Sequence, residues 1–422
     1  MGCSSERMIF TKLTTDGFIL FGSRILRMFA YGFLSVVLVL YLSKLGLNEF
    51  VIGLLLSATL IGDAAISLWM TTSADRIGRR RILVAGAGLM LFASALFAGT
   101  DKMALLLIAA TVGVISPSGY EVGPFLSVEQ AALSEIVPDK RRTEVFGWYN
   151  LVGSFATAAG ALTGGVLTQV LQRFGVFPLN SYRVVVVLYG LIGILMGLLF
   201  TRLSAAVETA RLGTPQIQSR FGLHRSTGVV LKLSALFGLD AFAGGFVLQS
   251  IVAYWFHVRF GVEPAVLGAI FFGANILAGI SALSAAWIAA RIGLVNTMVF
   301  THLPSNILLM LVPLMPNLPL AIVILLARFS ISQMDVPPRQ SYTMAVVTPD
   351  ERSAAAGVTG IARSIGAAIS PVFTGGMLSN PVLLGAPFFA AGGLKVIYDV
   401  LLYRSFRGVA GPKHEMAMLS KD

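Results

Sequence analysis

The sequence predicts an all-α membrane protein with twelve transmembrane helices in two pseudo-symmetric six-helix halves, and three observations carry that reading. The first is composition. Of the 422 residues, 56% are hydrophobic and only 12% charged, and the mean hydropathy is +0.82. A water-soluble chain of this size has no interior large enough for so much apolar surface, so the bilayer is its solvent. The second is a succession of twelve apolar runs, each near the length that spans a hydrocarbon core. The third is an internal echo. Pro138-Asp139-Lys140-Arg141 recurs 211 residues later as Pro349-Asp350-Glu351-Arg352, and Gly164-Gly165-Val166-Leu167 recurs at the same offset as Gly375-Gly376-Met377-Leu378. At an offset of 215, Lys44-Leu45-Gly46 with Gly53 matches Arg259-Phe260-Gly261 with Gly268, and Arg76-Ile77-Gly78 matches Arg291-Ile292-Gly293.

The spans follow in order. Span 1, at about 18–42, is too long for the apolar core of a cleavable signal. Span 2, at about 50–72, runs into a basic loop before span 3 at about 82–100. Span 4, at about 103–126, is interrupted by Ser116-Pro117, Gly119, Gly123 and Pro124. Span 5, at about 145–171, carries Gly153, Gly160, Gly164 and Gly165, small residues that let helix backbones approach closely. Span 6, at about 183–203, closes the first half. The polar stretch 204–226, with Glu208, Arg211, Pro215 and His224, is the linker. Spans 7 to 9 follow at about 228–256, 264–289 and 295–315, the last holding His302, read as a satisfied interhelical residue. Span 10, at about 318–340, is broken or bent by Pro337-Pro338. Span 11, at about 354–379, carries Gly375 and Gly376, and span 12 lies at about 383–405. The organisation is therefore 1–203, linker 204–226, 227–405 and a tail 406–422.

The net charge of +11 raises the question of a nucleic acid partner, and the placement of the basic residues answers it. With the N-terminus in the cytoplasm, most Lys and Arg fall in cytoplasmic segments, while Lys44, Lys102, Arg173, Arg183 and Arg259 lie opposite. This is the positive-inside asymmetry, with both termini cytoplasmic. The charge records topology, not a polyanionic ligand. Cys3 is the only cysteine, so no intrachain disulfide forms. The start Met1-Gly2-Cys3-Ser4-Ser5-Glu6 lacks the Ser or Thr that a myristoylation pattern wants at the sixth place. The absence of an Asn-x-Ser/Thr sequon fits a bacterial inner membrane.

Between spans 2 and 3 stands Ser73-Ala74-Asp75-Arg76-Ile77-Gly78-Arg79-Arg80-Arg81. Gly78 permits a tight turn, and the arginines pin the loop at the headgroups. This loop resembles the signature of the major facilitator superfamily, with Asp75, Arg76, Gly78, Arg79 and Arg80 on the pattern and Thr71 where the family has Gly. The resemblance implies that the loop latches the cytoplasmic side, with Asp75 at the N-terminus of span 11, where the helix dipole favours an anion. The run Gly160-Ala161-Leu162-Thr163-Gly164-Gly165 is similar to the antiporter motif of the drug–proton branch, with Ala161 in place of Pro. The same run also reads as plain helix packing.

Ionisable residues inside spans are expensive and point to function. At about 1.5 Å per residue, Arg27, Asp63, Asp240, Arg328, Arg363 and Lys395 lie near the midplane. Arg24, Glu121, Glu129, Asp335 and Arg339 lie nearer the cytoplasmic end. The resemblance implies that spans 1, 4, 7 and 10 line a central cavity. Arg27, Glu121, Asp240, Gln249, Arg328 and Asp335 are then the candidate substrate and coupling residues, or members of structural ion pairs. Arg24 is expected to snorkel to the inner surface. Asp63, Asn275 and Arg363 serve pairing or gating. Lys395 and Asp399, spaced i, i+4, are expected to satisfy each other.

Scattered histidines and one terminal cysteine give no metal cluster. No Walker loop or nucleophile motif is present, so neither ATP, a cofactor nor enzyme chemistry is expected. The expected function is alternating-access transport of a small molecule, with proton-coupled efflux first and symport or uniport of a small organic anion second. A non-transporting receptor or scaffold is the rival from another class. The partners are the substrate, protons or another coupling ion, and lipid. A monomer is expected.

Overall fold

The structure is a computed structural model and describes residues 14–121, 123–137, 139–208, 224–348 and 351–407, except for the side chains of Asp75, 139–144 and Ser353. The start with Gly2 and Cys3, the linker residues Arg211 and Pro215, and the tail beyond 407 lie outside the described residues, as do Pro138, Pro349 and Asp350.

Among the described residues there are sixteen α-helices and no strand. They are α1 Thr15–Ser35, α2 Leu38–Lys44, α3 Glu49–Ile77, α4 Arg79–Gly99, α5 Met103–Val112, α6 Phe125–Ile136, α7 Asp139–Arg173 and α8 Pro178–Thr201. After the linker come α9 Thr227–Gly245, α10 Gln249–Phe260, α11 Pro264–Ile292, α12 Leu294–Leu311, α13 Leu318–Phe329, α14 Val336–Ala345, α15 Arg352–Leu378 and α16 Ala386–Phe406. Ten segments are long and apolar enough to cross a membrane, and the shorter apolar helices α5 and α13 occupy spans 4 and 10. All twelve expected spans are thus helical, and the chain is a multi-pass membrane protein.

Local chemistry sets the ends. Thr14 accepts a hydrogen bond from the Gly17 N–H at 3.3 Å and caps α1. The one-residue turns from α3 to α4 and from α11 to α12 need left-handed backbone at Gly78 (φ 108°) and Gly293 (φ 86°), 215 residues apart.

Four spans are broken, not two. Span 4 is irregular over 113–124 and span 10 over 330–335, and the sequence marks both. Span 1 breaks at Val36 and Val37, and span 7 over 246–248, with no proline at either place. Span 10 is broken rather than bent, and Pro337 and Pro338 stand just past the break. They begin α14, where a fixed φ and a missing N–H suit the first helical turn.

The chain divides into two compact units. The first unit takes described residues 14–47, 61–208 and 249–272; the second takes 48–60, 224–248 and 273–407. In the first unit α1 and α7 lie backbone to backbone. A Cβ at Gly32 would strike the Thr157 carbonyl, one at Gly160 the Phe29 carbonyl, and one at Gly164 the Phe33 carbonyl. In the second unit α9 and α15 do the same through Gly245 against Ala367 and Ser370, and Gly366 against Gly238.

The glycine echo is displaced by one residue in space. In the first unit Gly165 abuts Pro264 and Gly268, and Gly268 abuts the Ala161 carbonyl. In the second unit Gly375 abuts Glu49 and Phe50, and Gly53 abuts the Pro371 carbonyl. Gly165 therefore corresponds to Gly375, and Ala161 to Pro371. Gly376 has nothing within 4 Å, so its place among the packing glycines does not hold. A 211-residue alignment puts it opposite Gly165, whereas the helix faces align one residue earlier.

These contacts separate two glycines of one residue type. Gly160→Ala should lose about 1–3 kcal/mol, because a methyl group driven into a carbonyl forces the helices apart. Gly376→Ala should be neutral or gain up to about 1 kcal/mol of helix propensity. Thermal unfolding of both variants in one detergent checks the pair, and equal melting shifts would refute the packing account.

Candidate functional site

Each unit holds a buried charge cluster. In the first unit Ser23, Arg24 and Arg27 point from one side of α1. Arg27 has 0% exposure. Its Nε donates to Glu121 Oε1 at 2.7 Å. Its Nη1 and Nη2 donate to Glu129 Oε1 and Oε2, both at 2.7 Å, the fork-on-fork geometry that makes such pairs strong. Glu129 is also fully buried, and accepts from Ser23 Oγ at 2.7 Å and from the Tyr149 hydroxyl. Arg24 pairs with Glu121 and lies 4.9 Å over the Tyr149 ring, and Arg27 lies 4.8 Å over Phe125. Two arginines thus face two glutamates, and the cluster is charge-balanced.

The irregular part of span 4 carries Glu121 and is held by two neighbouring helices and by one bond of its own. Asp63 on α3 accepts the Gly123 N–H at 2.5 Å, the Tyr189 hydroxyl donates to the Val114 carbonyl at 2.7 Å, and Ser116 Oγ donates to the Tyr120 carbonyl at 2.6 Å. These bonds replace the helical ones lost at membrane depth. At the start of α10, Gln249 donates to Ser35 Oγ at 2.8 Å, and the Ser250 N–H donates to the Pro117 carbonyl at 3.1 Å.

The second unit gathers its cluster from α9, α12, α14 and α16. Asp240 Oδ1 receives Lys395 Nζ at 2.5 Å, and Oδ2 receives Arg339 Nη1 at 2.9 Å. The same Arg339 nitrogen lies 3.2 Å from Asp335. His302 stands with Nε2 3.8 Å from Asp240 Oδ1 and Nδ1 2.8 Å from Asp399 Oδ1. Asn306 donates to Asp399 Oδ2 at 2.9 Å. All of these side chains are buried.

A sequence profile described as Major Facilitator Superfamily matches residues 20–409. The chain belongs to the Major Facilitator Superfamily. An uncharacterized membrane protein of Saccharomyces cerevisiae is 31% identical over 421 residues, which cover 93% of this chain and 94% of the relative. Quinolone resistance protein NorA of Staphylococcus aureus is 23% identical over 226 residues, 53% of this chain and 56% of its own. The crystal structure of a D-xylose-proton symporter superposes with a TM-score of 0.70 at 14% identity, covering 92% of this chain and 97% of that one. This superfamily member is a transporter, not an enzyme, with the twelve-helix fold of its family.

Among the residues expected in the superfamily's cavity, Arg27 meets Glu121, and Asp240 joins Asp335 through Arg339. Gln249 meets Ser35. Arg328 is half-buried on α13, with its guanidinium 4.9 Å over the Phe329 ring. Two expectations are corrected. Arg24 does not snorkel, because Glu121 and the Tyr149 ring hold it buried. Lys395 and Asp399 do not satisfy each other; Lys395 reaches Asp240 on α9, and Asp399 binds His302 and Asn306 on α12. His302 is the satisfied interhelical residue expected, bound to Asp399 on α16, whereas Tyr149 is not marked by the sequence and Glu129 is marked only as an acid toward the cytoplasmic end.

The signature loop engages both its own unit and the linker. The side chain of Asp75 lies outside the described residues, and Arg76 is exposed. The first N–H groups of α4, on Arg79 and Arg80, donate to the two oxygens of Glu208 at 2.8 and 3.2 Å. A carboxylate at a helix N-terminus satisfies orphan donors and suits the dipole. Arg79 Nη1 also donates to the Val207 carbonyl at 3.1 Å, and Arg80 Nη1 to that of Leu203 at 3.4 Å. The far end of the linker is gripped in the second unit. Glu351 accepts the backbone N–H groups of Ser226 at 3.0 Å, of Arg225 at 2.7 Å and of His224, and the Thr348 hydroxyl at 3.1 Å. Ser226 first, then the His224 N–H, hold the Glu351 carboxyl down at about 2, against an ordinary 4.5.

Two outcomes follow from this geometry. Glu129→Gln should destabilise the protein by about 3–5 kcal/mol, since it leaves a buried arginine undercompensated, and the double change Arg27→Met, Glu129→Met should recover part of that loss. Melting temperatures in detergent read both, and a single variant as stable as the parent would refute the account. Glu351 is an acid whose folded pKa is depressed, so its contribution is complete above about pH 4.5 and is lost as pH falls toward about 2. The stability gap between parent and Glu351→Gln should be open near neutral pH and close over that acid window. A gap that does not change with pH would contradict it.

Proposed function

We propose that this transporter exports a small molecule in exchange for protons by alternating access. In this reading 1–203 and 227–405 are the moving halves, 204–226 joins them and 406–422 is a tail, with both termini cytoplasmic and the carrier a monomer in the bilayer. The observation that carries it is Asp240. One buried carboxylate holds Lys395 through one oxygen and Arg339 through the other. A proton on Asp240 removes the charge that holds both cations, so it acts on three helices at once. The name of one similar protein, a quinolone resistance protein, supports the mode. Similarity to a yeast membrane protein over nearly the whole chain favours a eukaryotic membrane over a bacterial inner one.

The second reading is symport or uniport of a small organic anion. One observation favours it: Arg363 on α15 makes no ion pair or hydrogen bond among the described residues, while Arg27 is already matched by glutamates.

The test is a proteoliposome assay of the full chain with a fluorescent quinolone, with and without a pH gradient. The gradient should drive movement of the probe, and Asp240→Asn should lower that movement at least about tenfold, equivalent to about 1.4 kcal/mol, while exchange without a gradient persists. Movement that ignores the gradient would overturn the reading. Gradient-independent uptake of an organic anion that Arg363→Gln abolishes would replace it with the second.

A further inference from the structure

Three polar side chains in the second unit form a line that ion pairing alone does not require. Asp240 is already matched by Lys395 and Arg339, and Asp335 also lies on Arg339. Yet His302 stands with one ring nitrogen toward Asp240 and the other bonded to a second carboxylate, Asp399. A carboxylate only accepts, so the 2.8 Å contact assigns a proton to Nδ1, and in the neutral ring the bare nitrogen is then Nε2, toward Asp240. Asn306 fixes the other oxygen of Asp399 at 2.9 Å, and the Tyr398 ring stands edge-on to the imidazole at 5.9 Å. The ring is therefore held in orientation from two sides.

We propose that His302 relays the coupling proton between Asp240 and Asp399, an inference that rests on the proton-coupled reading above. A proton on Asp240 Oδ1 passes to Nε2, and the imidazolium then gives its Nδ1 proton to Asp399. The net result is one proton moved and one ring left as the Nε2–H tautomer, and uptake of a proton on Nδ1 together with loss of the Nε2 proton resets it. Lys395 gates the first step, because it occupies the oxygen of Asp240 that faces Nε2. At 3.8 Å that pair is beyond hydrogen-bond reach, so departure of Lys395 and closure by about an ångström, or one bridging water, completes the path. The charged and titratable groups around the ring are Asp240 from α9, Arg339 with Asp335 from α14, Arg363 from α15, and Lys395, Tyr398 and Asp399 from α16. Arg339, Arg363 and Lys395 match the three aspartates in charge, so the coupling proton adds one positive charge whichever side chain of the line holds it.

The line also has a direction. At about 1.5 Å per residue, Asp240 lies about 20 Å from the start of α9, His302 about 12 Å from the start of α12, and Asp399 about 10 Å from the end of α16. Alternation of the spans puts those three helix ends on one side of the membrane. The relay thus leads from mid-membrane depth toward the side read as cytoplasmic.

The experiment has two arms, both on the full chain in liposomes. In the first, His224, His257 and His414 are changed to Gln and the remaining histidine is labelled with nitrogen-15 for solid-state NMR. The ring should show Nδ1–H with bare Nε2 at high pH, gain a proton on Nε2 on acidification, and lose its tautomer preference in Asp399→Asn. A ring that keeps a bare Nε2 at every pH at which the chain stays folded overturns the relay, with no variant of His302 needed. In the second, with the fluorescent quinolone as probe, His302→Gln should lower gradient-driven movement at least about tenfold and spare gradient-free exchange. Imidazole should restore the former to His302→Ala. If the parent is gradient-driven and His302→Gln is as fast, the relay fails and the export reading stands. If the parent ignores the gradient while His302 titrates as described, the export reading fails instead.

Discussion

Arg27 is fully enclosed at membrane depth, and a guanidinium does not escape the cost of burial by losing its proton. Carboxylates must therefore come to it. Glu129 can arrive only if α6 packs on α1, and Glu121 only if span 4 gives up its helix between Val112 and Phe125. The irregular backbone then needs partners of its own, and Asp63, Tyr189 and Ser116 serve that need. Much of the first unit is arranged around one positive charge.

The two units meet the same demand with different chemistry. In the first, arginines and glutamates close on one another, and Asp63 is committed to a backbone N–H. In the second, a lysine and a histidine replace two of the permanent partners, and the network runs on to Asp399. A histidine ring can take up and give up a proton, which an arginine cannot do. The units share backbone design, with glycines zipping α1 to α7 and α9 to α15, while their polar interiors have diverged. That contrast is the physical basis for placing coupling in the second unit and rigidity in the first.

Much of this was legible in the sequence. Apolar runs gave all twelve spans, and the glycine turns at Gly78 and Gly293 stand where the repeat puts them. The break in span 4 carries Pro117, Pro124 and three glycines, and the break in span 10 is followed at once by Pro337 and Pro338. The breaks at Val36–Val37 and after Gly245 do not announce themselves, because tertiary partners such as Gln249 on Ser35 complete them. Arg27 and Asp240 were recognisable as costly charges, but their partners were not. A straight-helix depth count put Glu129 near the surface, and α6 is in fact a separate helix reaching back to α1. Local spacing paired Lys395 with Asp399, whereas residues 155 and 97 positions away claim them. Spacing along one helix says nothing about contacts of that range.

The enclosure of Arg27 also constrains how the chain is made. Its partners Glu121 and Glu129 lie 94 and 102 residues downstream. At synthesis rates of about 5–20 residues per second, α1 emerges about 5–20 s before either glutamate exists. During that interval a helix with two arginines faces lipid at a cost of about 2.5–3.5 kcal/mol for each arginine near its centre. The first helix must therefore wait beside the insertion machinery, or at the interface, until span 4 arrives. Biogenesis of this transporter thus departs from chain order: α1 is made before spans 2 and 3, yet it settles only once span 4 and α6 have followed them.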